Sequence, residues 1–271
     1  MKLPVTQTKI IVPRRISWTW SRSRLIAYLD DLLDYRLTLI AAPAGYGKTT
    51  LLVDLAHHVE YPVCWFALDP LDQDLVRFLT HFVAAIQKKF PQFGTASTSV
   101  ISNLASTEIN QNQILSTIVN DLYENIQEHF ALVLDDYYLV DSNSEINQFI
   151  NHFAREMDEN CHLVIASRSL LSLPDLPLLV GRSQVKGVSF EELAFRSDEI
   201  KALLTQKYDI KISDQESRKL MEDTEGWITG LLLSAETAKL GLDNHGRAPK
   251  TTGVDLYDYL TQQVLEQQDP L

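Results

Sequence analysis

Residues 43–50 read Pro43, Ala44, Gly45, Tyr46, Gly47, Lys48, Thr49, Thr50, between an apolar run and an amphipathic one. Glycines let a loop close on an anion, a lysine neutralises the oxygens it meets, and the next hydroxyl can ligate a divalent cation. Gly45, Gly47, Lys48 and Thr49 match the phosphate-binding loop, with Ala42 where that pattern has its first glycine. The substitution is tolerated if φ at Ala42 is negative. Backbone N–H groups of residues 44–49 are expected to wrap a β-phosphate, and the N-terminus of the following helix adds partial positive charge. Lys48 is expected to reach the β- and γ-oxygens, and Thr49 to ligate Mg²⁺. The alternative, an ordinary β–α turn, is disfavoured by the strand before the loop and the helix after it. The loop reads as a holder of a nucleoside triphosphate or diphosphate.

A phosphate loop needs a carboxylate on a neighbouring strand to hold the metal. Residues 131–134 are apolar and end on Asp135 and Asp136. Asp135, first after the run, is the expected metal ligand. Asp136 is expected to orient or deprotonate the attacking water, or else to cap the next turn. An aspartate is shorter than the glutamate of many fast ATPases, so slow hydrolysis is expected. At the end of the next strand, Arg168 is a candidate sensor of the γ-phosphate, or else a surface arginine. Ligands of open α/β sheets sit outside the carboxyl ends of the strands.

These residues need a scaffold, and the chain alternates apolar runs with helical periodicity. Strands are expected at 36–42, 63–68, 130–136 and 162–167, with a weaker one at 182–190. Helices are expected at 22–33, 49–59, 74–86, 113–126 and 145–157, and 91–112 reads as loop with a short helical turn. Apolar strands separated by helices imply an α/β fold: a parallel sheet covered on both faces, of the P-loop NTPase type with an extra strand between its two nucleotide motifs. From about residue 191 only helical patterns remain, including Ser213 and Glu216 in a capping box. The expected division is an N-terminal arm and helix (1–35), an ATPase core (36–190), a helical lid (191–252) and the start of a further module (253–271).

Composition narrows the classes. A chain of 271 residues with 45% apolar residues can bury a large core. Its net charge of −12 argues against binding nucleic acid or an acidic membrane through the overall field. Lys2, Lys9, Arg14, Arg15, Arg22 and Arg24 stand in an arm without acids, which either grips phosphates or covers an acidic face. No signal peptide or membrane span is visible. Cys64 and Cys161 fit buried, reduced thiols of a cytoplasmic protein, and His57 and His58 read as surface residues.

The segments "TKIIVPRR", "SRSRLIAYLDD" and "LTLIAAPAGYGKTTLL" resemble the opening of the MalT-type STAND ATPases, the signal-transduction ATPases with numerous domains. The likeness continues through "CWFALDPLDQDLVRFL", "LVLDDYYLV", "LVIASRS", "EELAFRSDEIKALL" and "TEGWITGLLLSA", to "LYDYLTQQVLEQQ". It implies the nucleotide-binding part of a LuxR-type transcriptional activator: a monomer resting on ADP that exchanges it for ATP, forms a homo-oligomer and slowly hydrolyses ATP. It further implies C-terminal sensor and effector domains, so the chain is expected to be a fragment of a longer protein. By the same resemblance, Gly45 to Thr50 form the phosphate loop, Asp135 and Asp136 the acidic strand, and Arg168 the sensing arginine. Arg22 and Arg24 fall in a nucleotide-flanking motif, and Val12 and Pro13 line the adenine. Other effector outputs of such switches, including defence and cell death, stay open, as does a free-standing P-loop ATPase. No second catalytic constellation is visible, which favours a switch. Direct DNA contact by this segment is not expected.

Overall fold

The computed structural model describes residues 4–15, 20–103 and 111–239. The expected linker at 241–253 and the last apolar run lie outside them. Helix α1 (Ser23–Tyr28) leads into strand β1 (Leu37–Ala41), and α2 (Lys48–His58) follows the loop. Next come β2 (Val63–Ala67), α3 (Leu75–Gln87), α4 (Thr95–Asn103), α5 (Gln111–Asn125) and β3 (Phe130–Asp135). The core ends with α6 (Ser144–Glu156), β4 (Cys161–Ser167), α7 (Leu176–Gly181), β5 (Val185–Val188) and α8 (Phe190–Leu193). Three helices then form a small subdomain: α9 (Ser197–Tyr208), α10 (Asp214–Thr224) and α11 (Ile228–Lys239).

All five strands are parallel in the order β2-β3-β4-β1-β5. β4 thus lies between the strand that feeds the phosphate loop and the acidic strand. Register aligns Ala41 with Ser167 and Ala67 with Asp135. The loop, Arg168 and the aspartate pair therefore emerge at one carboxyl edge. The strands read as unbroken apolar runs because both faces are covered. Leu39, Leu134 and Ile165 face a cluster containing Phe78, Phe82, Phe149 and Phe153. Ile40, Val133 and Val164 face Leu25, Leu51, Leu52 and Leu55 of α1 and α2. A separate core of Phe195, Ile200, Leu203, Leu204 and Leu231 holds the helical subdomain together.

The structure departs from the sequence expectation in places. The stretch read as loop contains α4, whose Ser97 gives its N–H and hydroxyl to Asp121 Oδ2 at 3.0 and 2.6 Å. That helix is fixed by a partner on α5, so its Ser/Thr-rich sequence carries no strong periodic signal of its own. Helix α1 stops at Tyr28, and a 3₁₀ turn at Leu32–Asp34 keeps Leu32 in the core. The short helix α7 was not expected. Among the described residues no helix is long and apolar enough to cross a membrane.

The basic arm meets acids. Lys9 pairs with buried Asp72, Arg15 Nη2 lies 2.8 Å from Asp54 Oδ1, and Arg22 and Arg24 share Glu199. For these four cations the acid-covering alternative holds. Cys64 and Cys161 are buried free thiols, and His57 and His58 are exposed on α2.

Candidate functional site

Between β1 and α2 the chain turns through Gly45 and Gly47, both at φ +82°. L-residues rarely adopt that conformation, so the two glycines make the turn possible. Ala42, which stands where the loop pattern has its first glycine, is not among the residues with positive φ. Lys48 is buried and donates from Nζ to Ala42 O at 2.6 Å and Pro43 O at 3.1 Å. Burial pulls its pKa below the ordinary lysine value; Asp136 and Asp135 oppose this, while Arg168 adds to it.

Thr49, on the first turn of α2, donates its hydroxyl towards both oxygens of Asp135, at 3.1 and 2.9 Å. Asp135 ends β3 and is only 3% exposed. Burial first, and then the neighbouring Asp136 charge, push its pKa up to about 6, against the pull of Thr49. A carboxylate that is hard to ionise without a nearby cation, facing a hydroxyl, is a donor set that fits a hard divalent ion. Asp136 follows at φ +58°, an uncommon backbone state for a non-glycine residue. Its pKa is raised by burial, against Lys48 and Arg168. Arg168 Nη2 donates to the Tyr138 hydroxyl at 2.7 Å, with its guanidinium 4.0 Å from the Tyr138 ring centre.

Lys48, Thr49, Asp136 and Arg168 border a cavity of about 380 Å³ between the sheet edge and the helical subdomain. Lys48, Thr49, Thr50, Asp136 and Arg168 give it polar lining beside Ala44, Gly45, Tyr46, Gly47 and Leu51. Trp20, Phe195, Leu203 and Leu232 give it apolar lining, and Asp54 and Arg22 also line it. The structure thus brings Ala44, Gly45, Tyr46, Gly47, Lys48, Thr49, Thr50, Asp136 and Arg168 to one space, with Asp135 behind Thr49. Pro43 contributes a carbonyl to Lys48.

The residues expected to flank the nucleotide lie as follows. Val12 is partly buried against the core, and neither Val12 nor Pro13 is among the residues that line the cavity. Arg24 also stays off the cavity, donating to Glu192 O at 2.9 Å and Glu199 Oε2 at 3.2 Å. Arg22 borders it, but its donors engage Leu193 O (2.5 Å), Ala194 O (2.9 Å) and Glu199, with the guanidinium 4.2 Å from the Phe195 ring centre. The two arginines bind the arm to the start of the helical subdomain. Sequence reading missed Trp20, Tyr138, Phe195, Leu203, Ile228, Thr229 and Leu232. Apart from Tyr138, two residues past the aspartates, they are apolar or hydroxyl side chains away from the loop in sequence; Phe195, Leu203, Ile228, Thr229 and Leu232 lie in segments that carry the family resemblance, which assigned them no role.

No family model matches the chain. It is 33% identical over 266 residues to the HTH-type transcriptional regulator MalT of Yersinia pestis, covering 97% of this chain and 29% of that protein. The regulator of the same name from Yersinia enterocolitica is 33% identical over 269 residues. The chain thus spans less than a third of the length of these relatives. Among solved structures it is similar to a Walker-type ATPase of Pyrococcus abyssi, with a TM-score of 0.59, 18% identity, and coverage of 94% of this chain and 77% of that one. It is also similar to a STAND protein with a tetratricopeptide repeat sensor from Pyrococcus horikoshii, with a TM-score of 0.51, 14% identity, and coverage of 96% and 34%. By its sequence the chain is similar over nearly its whole length to part of the MalT regulators, and its fold is the P-loop ATPase fold.

Proposed function

We propose that this chain is the nucleotide-binding module of a STAND-type regulatory switch, binding ADP and ATP with Mg²⁺ and hydrolysing ATP slowly. One observation carries the reading: Lys48, Thr49 backed by Asp135, Asp136 and Arg168 converge on one cavity that apolar and aromatic side chains also line. The polar lining suits phosphates, and the apolar lining suits a base.

The residues divide the work by chemistry. Lys48 supplies a positive charge to the phosphate oxygens, and the loop N–H groups supply directed donors. Thr49 and Asp135 would hold Mg²⁺, which when bound supplies charge neutralisation across the phosphates. Asp136 orients or deprotonates the attacking water, and its short side chain keeps turnover slow. Arg168, tethered to Tyr138, reads the γ-phosphate and so distinguishes ATP from ADP. Trp20, Phe195, Leu203 and Leu232 offer apolar surface to the base. In this account hydrolysis resets a conformation, ATP favours homo-oligomerisation, and further domains of the whole protein sense an inducer and activate transcription. The last step rests on the relatives' being HTH-type transcriptional regulators.

The test compares wild type with Asp136→Asn in ATP binding and single-turnover hydrolysis. Binding is expected to be preserved and hydrolysis to drop at least tenfold, on the order of what a general base contributes. Normal hydrolysis by the variant overturns the role of Asp136. A wild-type turnover well above about one per second without a partner argues for a metabolic or motor ATPase instead.

A further inference from the structure

The corner between α10 and α11 touches the phosphate loop directly. Trp227 Nε1 donates to Ala44 O at 2.9 Å. Thr229 gives its hydroxyl to Gly45 O at 3.1 Å and its N–H to the same oxygen at 3.3 Å. Lys48 covers the two preceding carbonyls, those of Ala42 and Pro43. Four consecutive loop carbonyls therefore have donors, two supplied by the loop's own lysine and two by the helical subdomain.

A trans peptide is planar, and the C=O of one residue points opposite the N–H of the next. Turning the Ala44 and Gly45 carbonyls to Trp227 and Thr229 thus turns the Gly45 and Tyr46 N–H groups to the other side. Successive N–H groups turned into one concavity make an anion nest. The contact is closely fitted. A Cβ on Gly45 would come within 2.5 Å of Thr229 Oγ1. Gly226, at φ +68°, lets the corner pass the Phe195 backbone, where a Cβ would come within 2.6 Å of Phe195 N.

We propose that Trp227 and Thr229 are positioning residues for the phosphate loop, aiming its N–H groups from the helical subdomain so that phosphate affinity depends on that subdomain being docked. The inference rests on the nucleotide reading above. Its consequence is reciprocal: whatever lifts the corner weakens phosphate binding, and phosphate binding holds the corner down by the same factor.

The test uses the full chain with Mg²⁺ and inorganic pyrophosphate, which has no base, beside ADP. Calorimetric titration compares wild type, Trp227→Phe, Thr229→Val and Thr229→Ser, with thermal melts as the fold control. Removing one donor is expected to weaken pyrophosphate and ADP by the same factor, about five- to tenfold. Thr229→Ser, which keeps the hydroxyl, is expected to bind like wild type. Independently, protein labelled with 5-fluorotryptophan gives a Trp227 ¹⁹F resonance, assigned by its loss in Trp227→Phe, that moves on saturation with pyrophosphate. Pyrophosphate affinities within about twofold of wild type in both donor variants overturn the latch, as does a loss confined to ADP. So does a Thr229→Ser as weak as Thr229→Val, or a Trp227 resonance that stays still. In all these cases the nucleotide reading stands if wild type binds. A wild type that binds neither ligand removes that reading, and the latch with it.

Discussion

Asp135→Asn is expected to make the nucleotide-free protein more stable while impairing it as a metal site. The carboxyl is 3% exposed, and its pKa rises from 3.8 to about 6. Keeping it ionised at pH 7.5 costs two decades of proton affinity at about 1.4 kcal/mol each, or on the order of 3 kcal/mol. Asparagine has the same shape and still accepts the Thr49 hydroxyl, but carries no charge beside Asp136. A gain of about 1–3 kcal/mol follows, or a Tm rise of roughly 2–10 °C. The sign with pH is specific. The folded pKa lies above the unfolded one, so the folded wild type binds more protons between them and loses stability as pH rises from 3.8 to about 6. The two proteins should therefore melt alike near pH 4, diverge through pH 6 and keep a constant gap above it. Calorimetric melts at several pH values measure this, and a parallel titration with Mg²⁺ and ATP should show the variant losing the metal-dependent part of binding. A variant less stable than wild type at pH 7.5, or a gap that ignores pH between 4 and 6, refutes the reasoning.

The other predictions are simpler. Lys48→Ala removes the charge that meets the phosphates, and nucleotide affinity should fall at least about 100-fold, read by equilibrium titration. Glu199→Gln should destabilise the docking of the helical subdomain by about 2–3 kcal/mol, because Arg22 and Arg24 lose their shared carboxylate. Burial would raise the Glu199 pKa, but the Arg196 N–H, Arg22 and Arg24 hold it below the ordinary glutamate value. Its contribution is therefore complete above pH 4.5 and lost as pH falls through the folded value, so wild type and Glu199→Gln should converge in acid.

The parts of the site visible in the sequence are those whose chemistry is local. Gly45, Gly47, Lys48 and Thr49 are contiguous, and the Asp135–Asp136 pair closes an apolar run, so loop and acidic strand could be read without tertiary information. Strand order followed less directly: the place of β4 between β1 and β3 rests on the order of motifs, which suggested an extra strand. The apolar lining of the cavity was not legible. Trp20 and Phe195 are separated by most of the chain, and nothing in their local sequence marks them as neighbours. Val12 and Pro13 were assigned by resemblance alone; Val12 is partly buried against the core, and neither residue lines the cavity. Arg22 and Arg24 had a functional look, but the carbonyls of residues 192–194 and Glu199 engage them as fasteners. The α4 helix escaped because Asp121, its partner, comes later in the chain.

The most direct test of the central claim is calorimetric titration of nucleotide-stripped protein with ADP and with ATP plus Mg²⁺, alongside Lys48→Ala. The account predicts one site per chain for each nucleotide in wild type and none in the variant. Absence of binding by wild type up to about 1 mM of either nucleotide, or equal binding by Lys48→Ala, would contradict it.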